Sequence, residues 1–240
     1  MTLETIPPGA VALTLSCNVC GAAIHTWHEP DVPRSMIQRL SRSVACEGCI
    51  ARADGEAMAR RAADRLEVRS QAWETLCPHE FRQELDFGKC NRETHDRLMA
   101  WQYGPKGLLV TGRTGLCKTR FLCRLLEREF LAGRSCAFVA HIDFRREVSF
   151  LSQTDAAAMR RYLTVLTRSD VVLFDDLGAG VITAAGEEAF EGMLSARCRN
   201  GKPTLFSANG GIEALAARFS VDRSGPIVRR LGEFTEQIKL

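Results

Sequence analysis

Three groups of residues in this chain have types and spacings that chemistry can use. The first is Gly112-Arg-Thr-Gly-Leu-Cys-Lys-Thr119, a glycine-bearing stretch that ends in a lysine and a hydroxyl. It follows the phosphate-loop pattern G-x-x-x-x-G-K-[ST], with cysteine at 117 in place of the last glycine. Backbone N–H groups in such a loop wrap a phosphate at a helix N-terminus, where the dipole favours negative charge. Lys118 adds a point charge for β- and γ-phosphates, and the Thr119 hydroxyl can ligate Mg²⁺. The candidate nucleotide contacts are therefore Gly112, Arg113, Thr114, Gly115, Leu116, Cys117, Lys118 and Thr119. An ordinary glycine turn is the plain alternative.

The second group is Asp175-Asp176, with Asn209 further on. Both lie where an apolar run stops, at Val171-Val-Leu-Phe174 and at Thr204-Leu-Phe-Ser-Ala208. A strand ending in a carboxylate is the second half of an ATPase site of the phosphate-loop kind, Asp175 holding Mg²⁺ directly or through water. Asp176 is placed to polarise an attacking water as general base, and Asn209 to hold that water or sense the γ-phosphate. A capped turn after a strand is the competing reading for the acids, and a turn residue before Gly210-Gly211 for Asn209.

The third group is Cys17-Asn-Val-Cys20 and Cys46-Glu-Gly-Cys49, two C-x-x-C pairs with 25 residues between them. Each pair can place two thiolates on one tetrahedral metal, so the four cysteines predict a closed, structural Zn²⁺ site. His25 and His28 are nearby alternatives as ligands, more simply read as polar surface. A four-cysteine site leaves no open position for water, so nothing catalytic is expected there.

The elements that must position these residues follow from hydropathy. Gly107 to Thr111 reads as a buried strand, and Leu122, Leu125, Leu126 and Phe130 after the loop share one helical face. Cys136 to Ala140 is a second strand, Asp143 to Ser169 one or two helices, and Glu187 to Arg199 another helix. Pro203 to Asn209 is a fourth strand, Ile212 to Phe219 a short helix, and Thr235 to Leu240 a terminal strand. Strands alternating with helices predict a parallel sheet covered on both faces, with ligands at the strand C-termini. The loop, both aspartates and Asn209 all fall at such ends. Phe81, Trp101 and Tyr103, before the first of these strands, are candidates to pack on a base, with core packing the stronger reading.

The expected organisation is a zinc module over 1–50, a helical linker over 51–76 and a nucleotide-binding core over 77–240. A net charge of +3 is too small to argue nucleic-acid binding by itself. Arg145-Arg146 and Arg160-Arg161 are hints of a DNA contact, better read as solvated surface. No apolar run reaches the length of a bilayer span and the N-terminus lacks a signal pattern, so a cytoplasmic protein is expected. Ten cysteines in such a chain are expected to be reduced or metal-bound.

The loop, the strand Val171 to Gly178 and the strand Pro-Thr-Leu-Phe-Ser-Ala-Asn209 together resemble the DnaC/IstB-like branch of AAA+ ATPases, which includes bacterial and phage replicative helicase loaders. The resemblance covers about Trp73 to Leu240. The cysteine module is more loosely similar to zinc segments on some phage-type loaders. The resemblance implies an ASCE-type α/β core with a five-stranded parallel sheet. It implies ATP and Mg²⁺ at Lys118, Thr119 and Asp175, water activation by Asp176, and Asn209 as sensor 1. Ile227-Val-Arg-Arg-Leu-Gly-Glu-Phe234 is similar to the segment that carries an arginine finger acting on the neighbouring subunit, which implies Arg230, with Arg229 or Arg218 as fallback. Implied partners are a replicative helicase, single-stranded DNA and further copies of the chain, with no membrane.

Two departures stand out. Cys117 replaces a glycine that lets backbone approach phosphate, and slow turnover is the expected result. The sequence also stops just after the last expected strand, so most or all of the helical lid that the resemblance implies, with its sensor 2 arginine, is expected to be missing. Besides a helicase loader, the residues allow an IstB-type transposition helper or a nucleotide-dependent adaptor that does not hydrolyse ATP.

Overall fold

The computed structural model describes residues 7–85 and 92–240, the side chains of residues 40 and 41 excepted. The chain divides into two compact units, residues 1–67 and 68–240, and each is described by itself.

In the first unit, β1 (Val11–Ser16) and β2 (Ala23–His28) form an antiparallel hairpin. This hairpin was not anticipated from the sequence. The first cysteine pair lies in its connection, and Gly21 takes φ +76 to turn the chain back. Helix α1 (Arg34–Ser43) follows, and then α2 (Glu47–Leu76), a helix of 30 residues. The linker helix therefore starts earlier than expected, so that Cys49 lies on its first turn.

The second unit begins within α2, where Arg69 donates to the carbonyls of Phe130 (2.7 Å) and Arg134 (2.8 Å). A cation on carbonyls at the end of a helix is a favourable pairing with its dipole. After α3 (Arg92–Met99) come β3 (Gly107–Thr111), α4 (Lys118–Leu131), β4 (Cys136–Ala140), α5 (His141–Thr154) and α6 (Ala156–Arg168). The expected one or two helices are two, because Asp155 ends α5 and caps α6, accepting from the N–H groups of Ala157 and Ala158. Then follow β5 (Val171–Leu177), α7 (Ala184–Arg199), β6 (Thr204–Ala208), α8 (Ile212–Ala216), α9 (Val221–Phe234) and β7 (Thr235–Lys239). Helix α9 was not read from the sequence, because Gly225-Pro226 looks like a breaker, yet Pro226 lies inside the helix.

Among the described residues, β3 to β7 form a five-stranded sheet in the order β4-β5-β6-β3-β7, every neighbouring pair parallel. Strand alternation feeds two cores. Val171 and Leu173 of β5 pack with Leu108, Val110 and the α4 leucines, whereas Val172 and Phe174 pack on the opposite face with Phe144, Phe190 and Ile227. Helices thus cover both faces, as the unbroken apolar strands predicted.

Arg197 is fully buried on α7 and donates to the carbonyls of Leu166 (2.6 Å), Ser169 (2.7 Å) and Pro203 (2.5 Å) and to the Thr204 hydroxyl (2.8 Å). It ties the C-terminus of α6 to the start of β6. Nothing in the periodicity of α7 marks it.

Candidate nucleotide site

The parallel sheet delivers β3, β5 and β6 to one edge, and the candidate residues sit there. The loop 112–117 leaves β3, and α4 starts at Lys118 with no acidic residue in its first turn and no side-chain cap. Its first turn therefore brings no carboxylate of its own to the orphan N–H groups and dipole, as an anion site prefers. Gly112 has φ +151, and a Cβ there would stand 2.9 Å from the Leu240 carbonyl oxygen, so glycine is needed for closeness as well as conformation. Gly115 (φ +89) and Cys117 (φ 58) also lie at positive φ. Cys117 thus occupies the left-handed region that glycine would fill without strain, which sharpens the meaning of the sequence departure.

The Lys118 ammonium donates to the carbonyls of Gly112 (3.0 Å) and Arg113 (2.9 Å) and to Oδ1 of Asn209 (3.0 Å). The side chain is 6% exposed, and burial lowers its pKa while Asp176 and Asp175 hold it up. A desolvated cation whose direct partners are neutral oxygens gains most from an anion. Thr119 donates its hydroxyl to Oδ1 of Asp175 at 2.6 Å. Burial raises the Asp175 carboxyl, and the hydroxyls of Ser207 and Thr119 pull it back. A carboxylate oxygen next to a hydroxyl oxygen is the donor chemistry that suits a hard cation such as Mg²⁺.

Asp176 also has positive φ (55), at an irregularity in the β5–β6 ladder between Phe174 and Leu177. Its carboxylate accepts from the Asn209 side-chain N–H at 2.9 Å, and Thr114 completes the group with its hydroxyl 3.5 Å from Oδ1 of Asn209. One cavity of about 330 Å³ is lined by Gly115, Cys117, Lys118, Asp175, Asp176 and Asn209, and also by Phe81. Of the three aromatic candidates, only Phe81 faces this cavity. Trp101 is buried, its indole N–H on the Lys106 carbonyl (3.0 Å), and Tyr103 carries the Arg134 guanidinium over its ring at 4.1 Å. Arg113 and Leu116 instead line an adjoining space of about 740 Å³ with Glu213 and Leu240.

Behind the carboxylates, Ala179 folds the segment back with its N–H on the Asp176 carbonyl oxygen (3.0 Å). The Ala179 carbonyl accepts from Arg145 at 3.1 Å and lies 3.2 Å from Nδ1 of His141. His141 is 1% exposed, its Nε2 has no partner among the described residues, and burial holds its imidazole down at about 4.

The candidate arginines are not part of this group. Arg230, on α9, pairs with Glu191 of α7 at 3.3 Å, Arg229 pairs with Glu233 at 3.7 Å, and Arg218 lines a neighbouring cavity beside Gly178 and Asn209. Sequence reasoning missed Ser207, which is 1% exposed and hydrogen-bonded to both Asp175 and Asp176. A second polar residue in a buried strand, after Thr204, was the signal.

In the first unit, the sulfurs of Cys17, Cys20, Cys46 and Cys49 all lie within 4.8 Å of one another, and Cys20 and Cys46 are 3.7 Å apart. A tetrahedron with metal–sulfur bonds of about 2.3 Å has edges of about 3.8 Å, so this donor set fits zinc. Backbone N–H groups of Cys20, Cys46 and Val19 lower the Cys17 thiol to about 6, towards the thiolate that ligation needs. His25 and His28 turn elsewhere, to the Thr14 hydroxyl and the Glu29 carbonyl oxygen.

No protein-family model and no curated sequence matches this chain. Solved structures do. A structure described as DnaI aligns with a TM-score of 0.58 at 22% identity, covering 70% of this chain and 98% of that one. The DnaC helicase loader gives a TM-score of 0.52 at 20% identity, covering 70% and 95%. A replication initiator DnaA bound to AMPPCP and single-stranded DNA gives 0.52 at 14%, covering 69% of this chain and 51% of that one. These likenesses establish the fold, a five-stranded parallel sheet covered by helices with a phosphate-type loop after its β3 strand, here preceded by a four-cysteine cluster.

Proposed function

We propose that this chain is a Mg²⁺-dependent AAA+ ATPase that loads or remodels a replicative helicase on DNA, ATP binding promoting assembly and hydrolysis promoting release. The observation that carries the ATPase part is the buried Lys118 ammonium held against Asn209, which in turn donates to Asp176. In this reading the loop amides of residues 112–118 and the Lys118 ammonium bind the phosphates. Thr119 and Asp175 would hold Mg²⁺, which when bound shields phosphate charge. Asp176 accepts the proton of the attacking water, and Asn209 orients it. Arg230 would act on the ATP of a neighbouring copy, so the active form is an oligomer or a helicase-bound assembly. Cys17, Cys20, Cys46 and Cys49 would hold one structural Zn²⁺.

The helicase and DNA part rests on likeness to a structure described as a helicase loader and to an initiator bound to single-stranded DNA. A cytoplasmic location goes with it. Among the described residues no helix is long and apolar enough to cross a membrane. Size-exclusion chromatography with ATP and Mg²⁺, with and without a candidate helicase, tests the assembly. Absence of any ATP-sensitive complex would sink the loader reading.

A second reading, a nucleotide-dependent adaptor that does not hydrolyse ATP, is favoured by the left-handed conformation of Cys117 at the phosphate loop. ATP turnover that Lys118→Ala abolishes removes it.

A further inference from the structure

Ser207 joins the two carboxylate-bearing residues through a single oxygen. Its hydroxyl donates to Oδ1 of Asp175 at 2.5 Å and accepts from the backbone N–H of Asp176 at 2.8 Å. The second contact has a backbone reason. The β5–β6 ladder pairs Phe174 with Phe206 and next pairs Leu177 with Ala208, so Asp175 and Asp176 fall in a bulge where the regular pairing lapses. The Asp176 N–H must find another acceptor, and the Ser207 side chain supplies it. Asp176 has φ 55 at this point, a left-handed conformation that is unfavourable for an L-residue and persists only when neighbours hold it.

A hydroxyl has one proton and two lone pairs. With its lone pair facing the Asp176 N–H, its proton goes to Asp175, and Asp175 must present an acceptor oxygen. The same oxygen takes the Thr119 hydroxyl. One side chain therefore sets the backbone of one acid and the carboxylate orientation of the other.

We propose, on the ATPase reading above, that Ser207 is a positioning residue. It locks Asp176 in the left-handed bulge that points its carboxylate at Asn209, and it fixes the rotamer of Asp175 towards Thr119. It touches no phosphate itself, so its loss acts on turnover and leaves nucleotide capture by Lys118 in place.

The test compares the full chain with Ser207→Ala, Ser207→Thr and Lys118→Ala, by steady-state ATPase assay, ATP affinity and amide hydrogen exchange of the nucleotide-free protein. Ser207→Ala is expected to lower kcat by about 10–100-fold, the usual effect of losing a supporting hydrogen bond behind a metal or catalytic carboxylate, with KM and ATP affinity changed less than about threefold. The Asp176 N–H is expected to exchange at least about tenfold faster, as a lost hydrogen bond of about 1.4 kcal/mol requires. Ser207→Thr, which keeps the hydroxyl, restores both. Wild-type kcat in Ser207→Ala, an unchanged Asp176 exchange rate, or equal losses in the Ala and Thr variants would each overturn the proposal. If Ser207→Ala does not fold by circular dichroism, Ser207→Cys, with its weak donor and acceptor, is read by the same criteria. Should the unmodified chain show no ATPase that Lys118→Ala removes, the ATPase reading fails. Asp176 exchange in the Ser207 variants then still decides whether the bulge is held as described.

Discussion

Nζ of Lys118 stands 3.0 Å from Oδ1 of Asn209, so the cation of the phosphate loop and the amide at the end of β6 are in direct contact across two strands of one sheet. The other end of the same amide donates to Asp176. Asn209 is thus wired to the cation that would bind phosphate and to the carboxylate that would handle water.

That arrangement separates binding from turnover. Lys118→Ala is expected to weaken ATP binding by about 10–100-fold, the loss of a charge-assisted contact of roughly 1.5–3 kcal/mol. Asn209→Ala should leave affinity within a few-fold and lower kcat by about 10²-fold. Isothermal titration with a non-hydrolysable analogue, beside a steady-state assay, checks both. Equal losses of affinity in the two variants would contradict the division of labour.

Cys117 offers a gain-of-function test. At φ 58 an alanine keeps the strain and a glycine removes it. Cys117→Gly is expected to be more stable than Cys117→Ala by about 1 kcal/mol, seen as a melting temperature about 2–4 °C higher. It should also turn ATP over faster than the unmodified chain, because the Cβ facing the phosphate cavity is gone. A slower Cys117→Gly enzyme would show that the cysteine aids the chemistry.

Zinc is expected at one equivalent per chain, measured by elemental analysis. Cys20→Ser or Cys46→Ser should release it, since structural zinc contributes about 10–16 kcal/mol to the folding of such modules and one lost thiolate breaks the closed set. The β1–β2 hairpin then loses its order by nuclear magnetic resonance, while the signals of β3 to β7 persist. Retention of a full equivalent of metal in both variants would exclude the four-cysteine site.

His141 predicts a pH dependence of stability. An unfolded imidazole takes a proton near 6.5, whereas the folded one resists protonation down to about 4, chiefly through burial, with Arg145 close by and Asp176 opposing. Between these values the unfolded chain binds more protons, so stability falls as pH drops from 6.5 towards 4. The loss amounts to about 3 kcal/mol at full extent. Denaturant unfolding from pH 7 to pH 4 should show this slope in the unmodified protein and lose that part of it in His141→Gln. Parallel curves for the two would refute the assignment.

The features legible in the sequence are those written in local pattern. Apolar strands that end in Asp175 and Asn209, and a glycine loop between a strand and a helix, announce the sheet and the site together. Features set by neighbours distant in sequence were not legible. The left-handed conformation of Asp176 depends on a bulge that only the pairing of β5 with β6 creates, and Ser207 gains its meaning only from that bulge. Arg197 looks like one more charged residue of α7 until the carbonyls of residues 166, 169 and 203 converge on it. Helix α9 was hidden by Pro226, because tertiary packing of Ile227 and Leu231 outweighs a local breaker.

The Ala179 residue has a mechanical consequence. Its N–H holds the Asp176 carbonyl, and its own carbonyl is gripped by Arg145 and lies beside the His141 ring. Helix α5 and the backbone of Asp176 are therefore joined by a linkage one residue long, with little slack. On the proposed function, a load applied to the outer face of α5 would reach Asp176 as a tug on its peptide plane.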